Sequence, residues 1–204
     1  MSHAARQIHA AGLNNQHALL QQWIWHMNRF VIISGCSGGG KSTLLAELQR
    51  RKYCVVEEPG RRIVKEETDS GGQALPWLDM AAFLRRVIDA ALADYAHAPR
   101  NKAQWVFFDR SLIDAAAALH ELTGDNILDR LKHGYRYHPR VFFAPPWPEI
   151  YVHDSERRHD MSAALVEFER LRRVYPFLGY TVSLLPRASV IERADFVLKA
   201  LSAC

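Results

Sequence analysis

Cysteine is scarce in this chain: Cys36, Cys54 and Cys204 are the three thiols among 204 residues. So few, so unevenly spaced, they build neither a disulfide framework nor a four-ligand zinc site, and they suit a reducing compartment. Long apolar runs are missing as well. No stretch approaches the roughly 18 to 20 residues that cross a bilayer, and the N-terminal region lacks the charged-then-apolar order of a signal peptide. A cytoplasmic location with no membrane partner is expected. Nor is there a tail of one charge. The 26 Lys and Arg against 22 Asp and Glu leave +4 overall, and nucleic acid is not an expected partner. The late arginines Arg157, Arg158, Arg170, Arg172 and Arg173 stand among Glu156, Asp160, Glu167 and Glu169; they serve either phosphates or a solvated helix face. His3, His9, His17 and His26 match no metal-ligand spacing on one helix face. What remains is an ordinary globular composition, 49% hydrophobic and 24% charged, in a chain long enough for one substantial core.

Residues 1–28 are rich in Ala, Gln, Asn and His, and only Leu19 to Met27, with Trp23 and Trp25, has the makings of a helix with something to bury. They read as an N-terminal appendage, which leaves room for a protein partner there, and residues 29–204 read as the main domain. From Phe30 onward apolar runs alternate with helical patterns, the order of an α/β domain with a parallel sheet. Five runs read as buried strands: Phe30 to Ser34, Tyr53 to Glu57, Trp105 to Asp109, Val141 to Ala144 and Thr181 to Leu185. Helices are expected over Lys41 to Arg51, Leu78 to Ala96, Ser111 to Leu122, Ser155 to Tyr175 and Ser189 to Leu201, several with apolar residues three and four apart, such as Leu44, Leu45 and Leu48. Crossovers would then set helices on both faces of the sheet. Ser70 to Gln73 reads as a flexible loop and Ala144 to Pro148 as a rigid one.

The most informative segment follows the first strand. Gly35-Cys36-Ser37-Gly38-Gly39-Gly40-Lys41-Ser42-Thr43 satisfies the spacing G-x-x-x-x-G-K-[ST]. By chance that pattern turns up in only about one in a hundred chains of this length, and here it also sits between a buried strand and an amphipathic helix. That context suits the mechanism, in which successive backbone N–H groups and the positive helix end surround phosphates. Gly35, Ser37, Gly38, Gly39, Gly40 and Thr43 are thus expected to line a nucleoside triphosphate. Lys41 would reach the β- and γ-phosphates and the Ser42 hydroxyl would ligate Mg²⁺.

In an open parallel sheet the acids that support such a site sit at the carboxyl ends of strands. Asp109 ends one strand and suits Mg²⁺ support, with Arg110 next to it placed for a phosphate or an acidic substrate group; a strand-end Asp before a helix is otherwise a helix cap, but the loop upstream favours the functional reading. Glu57 and Glu58 end another strand, and Glu58 is either a base for a substrate hydroxyl or a solvated turn acid. His153 to Asp160 holds Arg157 and Arg158 where a mobile lid would close over the triphosphate and neutralise charge. Leu185 to Ser189 either wraps a purine base or is a plain turn capped by Ser189. Trp77, Tyr135, Tyr137 and Trp147 either stack on a ligand ring or belong to the core.

These segments together resemble the small P-loop kinases, and most of all the predicted-ATPase family related to the nicotinamide riboside kinase module of bacterial NAD biosynthesis enzymes. The resemblance runs from about Asn28 to the end and rests on the Gly35 to Thr43 loop, Glu57-Glu58-Pro59 to Arg61, Phe108-Asp109-Arg110-Ser111, Asp154 to Arg158 and Leu185 to Arg193. It implies a P-loop NTPase three-layer sandwich whose five-stranded parallel sheet has the order 2-3-1-4-5. It further implies a kinase that moves the γ-phosphate of ATP, with Mg²⁺, to a small hydroxyl-bearing metabolite or nucleoside-like acceptor. Catalysis would fall to Lys41, Asp109, Glu58, Arg157 and Arg158. The alternative is an ATPase, or a nucleotide-regulated binding module without such an acceptor. Motor ATPases generally place a glutamate after the strand-end aspartate, where this chain has Arg110, and no guanine-selecting Asn-Lys-x-Asp pattern occurs.

Overall fold

A computed structural model describes residues 28–100, 104–131, 134–150 and 161–202. Its strands are β1 (Phe30–Gly35), β2 (Cys54–Val56), β3 (Val106–Asp109), β4 (Arg140–Ala144) and β5 (Thr181–Leu184). Helices α1 (Lys41–Arg50), α2 (Pro59–Ser70), α3 (Met80–His97), α4 (Leu112–Thr123), α5 (Ile127–Leu131), α6 (Met161–Phe177) and α7 (Val190–Ser202) connect and flank them. All four strand pairings are parallel, and the sheet order is β2-β3-β1-β4-β5. Every strand therefore ends at the same edge, and β1 lies between β3 and β4. Ligands bind in open α/β sheets outside the carboxyl ends, where the strand order reverses, so the loop after β1 occupies that position.

The side chains explain why the sheet is buried on both faces. Successive strand residues point to opposite sides. Val31, Ile33, Phe107 and Phe142 pack with Leu44 and Leu48 of α1 and Val197 and Leu201 of α7. Phe30, Ile32, Val106, Phe108, Val141 and Phe143 face the other way, onto a larger core with Leu84 and Val87 of α3, Leu112 and Ala116 of α4, and Phe168 and Leu171 of α6. The expected three layers are present, with helices on both faces. Each fully buried leucine or isoleucine contributes roughly 1.5 to 3 kcal/mol relative to exposure. That is why runs such as Phe30-Val31-Ile32-Ile33 are apolar without alternation.

Two helices depart from the sequence expectation, α2 and the short α5. α2 begins at Pro59, where the missing N–H costs nothing, and stops at Gly71 with φ +69°. Its charged sequence hides it, because its buried residues are Pro59, Gly60, Ile63 and Glu67 alone. The segment after it is tethered: the Glu67 carboxylate accepts from the Ala74 N–H at 2.7 Å and pairs with Arg86. Residues 1–27 of the expected appendage at 1–28, and the whole expected lid segment His153 to Asp160, lie outside the described residues.

Candidate active site

The loop between β1 and α1 is tied down by backbone geometry before any side chain enters. Gly35 has φ +105°, a region L side chains rarely adopt, and an added Cβ would meet the backbone of Ala144, its nitrogen at 2.7 Å. The Cys36 N–H donates to Ala144 O at 2.9 Å, so the loop leaves β1 alongside the end of β4. Gly40, with φ +76°, precedes α1, which has no side-chain cap and no acid in its first turn. The first N–H groups of the ten-residue helix are thereby left without an acidic competitor.

Lys41 is 8% exposed and its Nζ donates to Cys36 O at 2.9 Å, folded back over its own loop. Burial, then the charge of Arg110, lowers its pKa, against the attraction of Asp109, Glu58 and Glu167. Ser42 is exposed at the start of α1, Ser37 is half-buried, and the Thr43 hydroxyl donates to Gly40 O at 2.9 Å. Burial pushes the Cys36 thiol up despite Lys41 beside it.

Asp109 ends β3, paired in register with Ile33 of β1. Its Oδ1 is buried and accepts no hydrogen bond among the described residues. Desolvation, then the Glu58 carboxylate, raises its pKa to about 6. A buried carboxylate oxygen without a donor, beside Lys41, has the chemistry to meet a hydrated cation or a substrate hydroxyl. It caps nothing: Ser111 caps α4, accepting from the Ile113 N–H at 3.0 Å, while Asp114 accepts from the Ser111 N–H at 3.0 Å.

Arg110 has φ +63°, a conformation that costs a non-glycine residue roughly 1 to 2 kcal/mol. Its guanidinium is forked onto Glu167 of α6 at 2.8 and 3.2 Å and reaches Glu58 at 3.2 Å and Asp114 at 3.4 Å. Burial works against its charge, but those carboxylates outweigh it and hold its pKa well above the ordinary value. Asp114 is the hub beneath: it accepts from the Tyr175 hydroxyl at 2.6 Å and from the Ser34 hydroxyl of β1. The strand before the phosphate loop, Arg110 and α6 are thus joined through one buried carboxylate.

On the α7 side, Arg193 is 3% exposed. It donates to Gly40 O at 2.9 Å and Thr43 Oγ1 at 3.3 Å, and its guanidinium lies 5.4 Å from the Trp147 ring centre. Arg187 donates to Pro146 O at 2.6 Å, and Ser189 donates to the Glu192 carboxylate from N–H and hydroxyl. The Leu185 to Ser189 segment therefore contains a capped turn.

Between β2, β3, α2 and α3 lies a narrow cleft lined by Glu57, Pro59, Asp94, Asp109, Arg110 and Tyr137 among others. Tyr137 is fully buried core and Tyr135 packs against it, whereas Trp77 is half exposed. Lys41, Asp109, Glu58 and Arg110 are brought together. Arg157 and Arg158 lie outside the described residues. Sequence reasoning missed Asp114, Glu167 as the partner of Arg110, and Arg193. Only Asp114 had a local signal, the Ser111-x-x-Asp114 spacing of a capping box.

The sequence matches the family described as AAA domain over residues 30–193. The chain belongs to that family. Comparison with curated protein sequences gives no match. Among solved structures, deoxyadenosine kinase from M. mycoides, with products dCMP and a flexible dCDP bound, superposes with TM-score 0.61 at 13% identity, over 85% of this chain and 98% of that one. Shikimate kinase from Acinetobacter baumannii, in complex with shikimate, gives 0.57 at 13%, over 88% and 96%. NadR protein in complex with NR gives 0.62 at 19%, covering 97% of this chain but 59% of that protein. At these identities the likeness is one of fold, the P-loop kinase fold with sheet order 2-3-1-4-5.

Proposed function

We propose that this AAA-domain protein transfers the γ-phosphate of ATP to the hydroxyl of a small metabolite or nucleoside-like acceptor, with Mg²⁺. The observation that carries this reading is Asp109: one side chain lies beside Lys41 and also lines the cleft next to the loop, with a carboxylate oxygen that no described residue engages. Donor and acceptor sites that meet at one unspent carboxylate suit transfer better than storage of a nucleotide. Hydrolysis is disfavoured because the residue after Asp109 is Arg110, committed to three carboxylates, so no acid stands there to orient water.

In this reading the loop N–H groups of Gly35 to Thr43 and Lys41 bind the phosphates. Mg²⁺ would be held by the Ser42 hydroxyl and, across its water shell, by Asp109, neutralising charge between the phosphates. Among the described residues no group of three or more His, Cys, Asp or Glu forms a cage, so phosphates and water would complete its coordination. Asp109 and Glu58 share the support of that shell and the removal of the acceptor's proton. Arg157 and Arg158 close over the triphosphate, and Arg187 and Trp147 border the base. Residues 29–204 form the catalytic domain and 1–28 an appendage open to a protein partner. No described helix is long and apolar enough to cross a membrane, and we assign the protein to the cytoplasm.

The test is ATP consumption with Mg²⁺, wild type against Lys41→Ala, with and without nucleosides, ribosides and small alcohols. Turnover that requires both Lys41 and one acceptor is the expected result. ATP consumption indifferent to every acceptor would return the protein to the ATPase or nucleotide-gated binding reading.

A further inference from the structure

We infer that the edge of the sheet where the strands begin, opposite the phosphate loop, binds the phosphodiester chain of a single-stranded nucleic acid. This is a second face of the protein, and its role does not depend on the kinase reading.

The net charge of +4 conceals how the charge is arranged. Because the strands are all parallel, the segments that enter them meet at one edge. Arg29 precedes β1, Lys52 precedes β2, Arg100 lies between α3 and β3, Arg136 precedes β4, Arg140 opens it, and Lys199 stands in the last turn of α7. These segments are joined to one another. The Val106 N–H donates to Arg29 O at 2.9 Å, Gln104 Nε2 to Lys52 O at 3.0 Å, the Tyr95 hydroxyl to Arg136 O at 2.7 Å, and Arg140 Nη1 to Ala200 O at 3.2 Å. No Asp or Glu occurs in residues 1–46, 51–56, 98–106, 132–141, 171–182 or 196–204. Those ranges take in the undescribed residues 1–27, 101–103, 132–133 and 203–204, which therefore bring no acidic side chain to this edge. Acids on adjoining helices are engaged elsewhere, Glu47 and Asp195 by Arg50 and Arg51, and Glu169 by Arg172. At the opposite edge Glu57, Glu58 and Asp109 stand where strands end.

Helix ends oppose this charge without cancelling it. α3, α6 and α7 finish here, and a helix C-terminus carries about half a negative charge. Arg100 donates to Tyr95 O at 3.3 Å, Arg136 to Leu178 O at 3.5 Å and Arg140 to Ala200 O at 3.2 Å, so three whole charges meet three halves. Arg29, with its guanidinium 4.1 Å from the Trp105 ring centre, and the exposed Lys52 and Lys199 add to the surplus. Guanidiniums already fixed on ring faces and carbonyls meet phosphate oxygens through a planar fork with little further loss of freedom. Phe177, 63% exposed, directly precedes the Leu178 whose carbonyl holds Arg136, and it offers a ring on which an unpaired base stacks. A lipid surface would call for several apolar side chains standing clear of the body, whereas Trp105 is half-buried against Arg29.

The test is fluorescence anisotropy of a labelled oligodeoxythymidine of about 20 nucleotides, titrated with the full chain while excess ATP competes for the phosphate loop. Binding should weaken with salt, with a log–log slope of about −2, the value for about three contacted phosphates on a single strand. Lys52→Glu and Lys199→Glu, both at exposed positions, should each weaken binding by about fivefold. Lys65→Glu, the same charge change on α2, should leave it unchanged. Phe177→Ala should weaken it several-fold, and unchanged affinity there would overturn the choice of a single strand. Affinity indifferent to both reversals, or lowered equally by Lys65→Glu, would overturn the proposal. So would tighter binding to vesicles of phosphatidylserine and phosphatidylcholine, or equal competition by polyglutamate.

Discussion

Arg193 on α7 donates from Nη1 to the carbonyl of Gly40 at 2.9 Å, across 153 residues of sequence, and so holds the last glycine before Lys41. The contact is close enough that a Cβ on Gly40 would lie 2.6 Å from that nitrogen. Gly40 sets the direction in which the first N–H groups of α1 point. Arg193 is therefore a positioning residue for the phosphate loop, although it need not touch phosphate itself.

Arg193→Ala should weaken ATP binding by about tenfold, or about 1.4 kcal/mol, with a smaller change in kcat. Arg193→Lys should recover little, since an ammonium does not reproduce a planar fork bonded to both Gly40 O and Thr43 Oγ1. Equilibrium titration with ATP decides it; unchanged affinity in both variants would mean that α7 only packs beneath the loop.

Gly35→Ala is expected to destabilise the protein by on the order of 2 to 4 kcal/mol, because an L residue is strained at φ +105° and its Cβ meets β4 backbone that cannot swing away. Urea denaturation at neutral pH gives the number. Gly71→Ala provides the contrast, for there φ is +69° but nothing lies within 4 Å. It should cost about 1 kcal/mol.

Asp114→Ala should cost about 3 kcal/mol, since it removes a buried charge that faces Arg110 and accepts from Tyr175 and Ser34. Asp114→Asn should cost less, because one amide oxygen can still serve Tyr175. Chemical denaturation of both variants beside wild type checks the order. Equal losses would mean that the amide oxygen kept by Asn contributes nothing and that the lost charge opposite Arg110 accounts for the whole cost.

The parts legible in the sequence were those written locally. Each central strand is buried on both faces and so reads as an unbroken apolar run, and Gly35 to Thr43 carries its meaning in its own spacing. The order β2-β3-β1-β4-β5 came from family resemblance, because no local feature of β3 says that it lies beside β1. Helix α2 was hidden by a start, Glu57-Glu58-Pro59-Gly60, that reads as a turn. Arg110 reads from the sequence as placed for a phosphate or an acidic substrate group, and its fork onto Glu167, 57 residues on, has no sequence signal. The same holds for Ser34 and Asp114, 80 residues apart, and for Arg193 on Gly40.

Asp109 gives the sharpest pH signature. Its carboxyl titrates at 3.8 when unfolded and about 6 in the folded protein, so the folded state holds the proton more tightly. The stability this contributes is complete below pH 3.8 and is lost as the pH rises through about 6, by about 3 kcal/mol in all. Asp109→Asn keeps the shape without the charge and does not undergo that loss. The variant should therefore gain on wild type as the pH is raised from 4 to 7.5, by up to about 3 kcal/mol in urea denaturation without nucleotide, while its ATP turnover collapses. Mg²⁺ with ATP should then stabilise wild type far more than Asp109→Asn, because only the carboxylate gains a partner for its charge. A stability gap that stays constant across this pH range would mean that Asp109 is already ionised at pH 4, with a donor supplied by something other than the described residues.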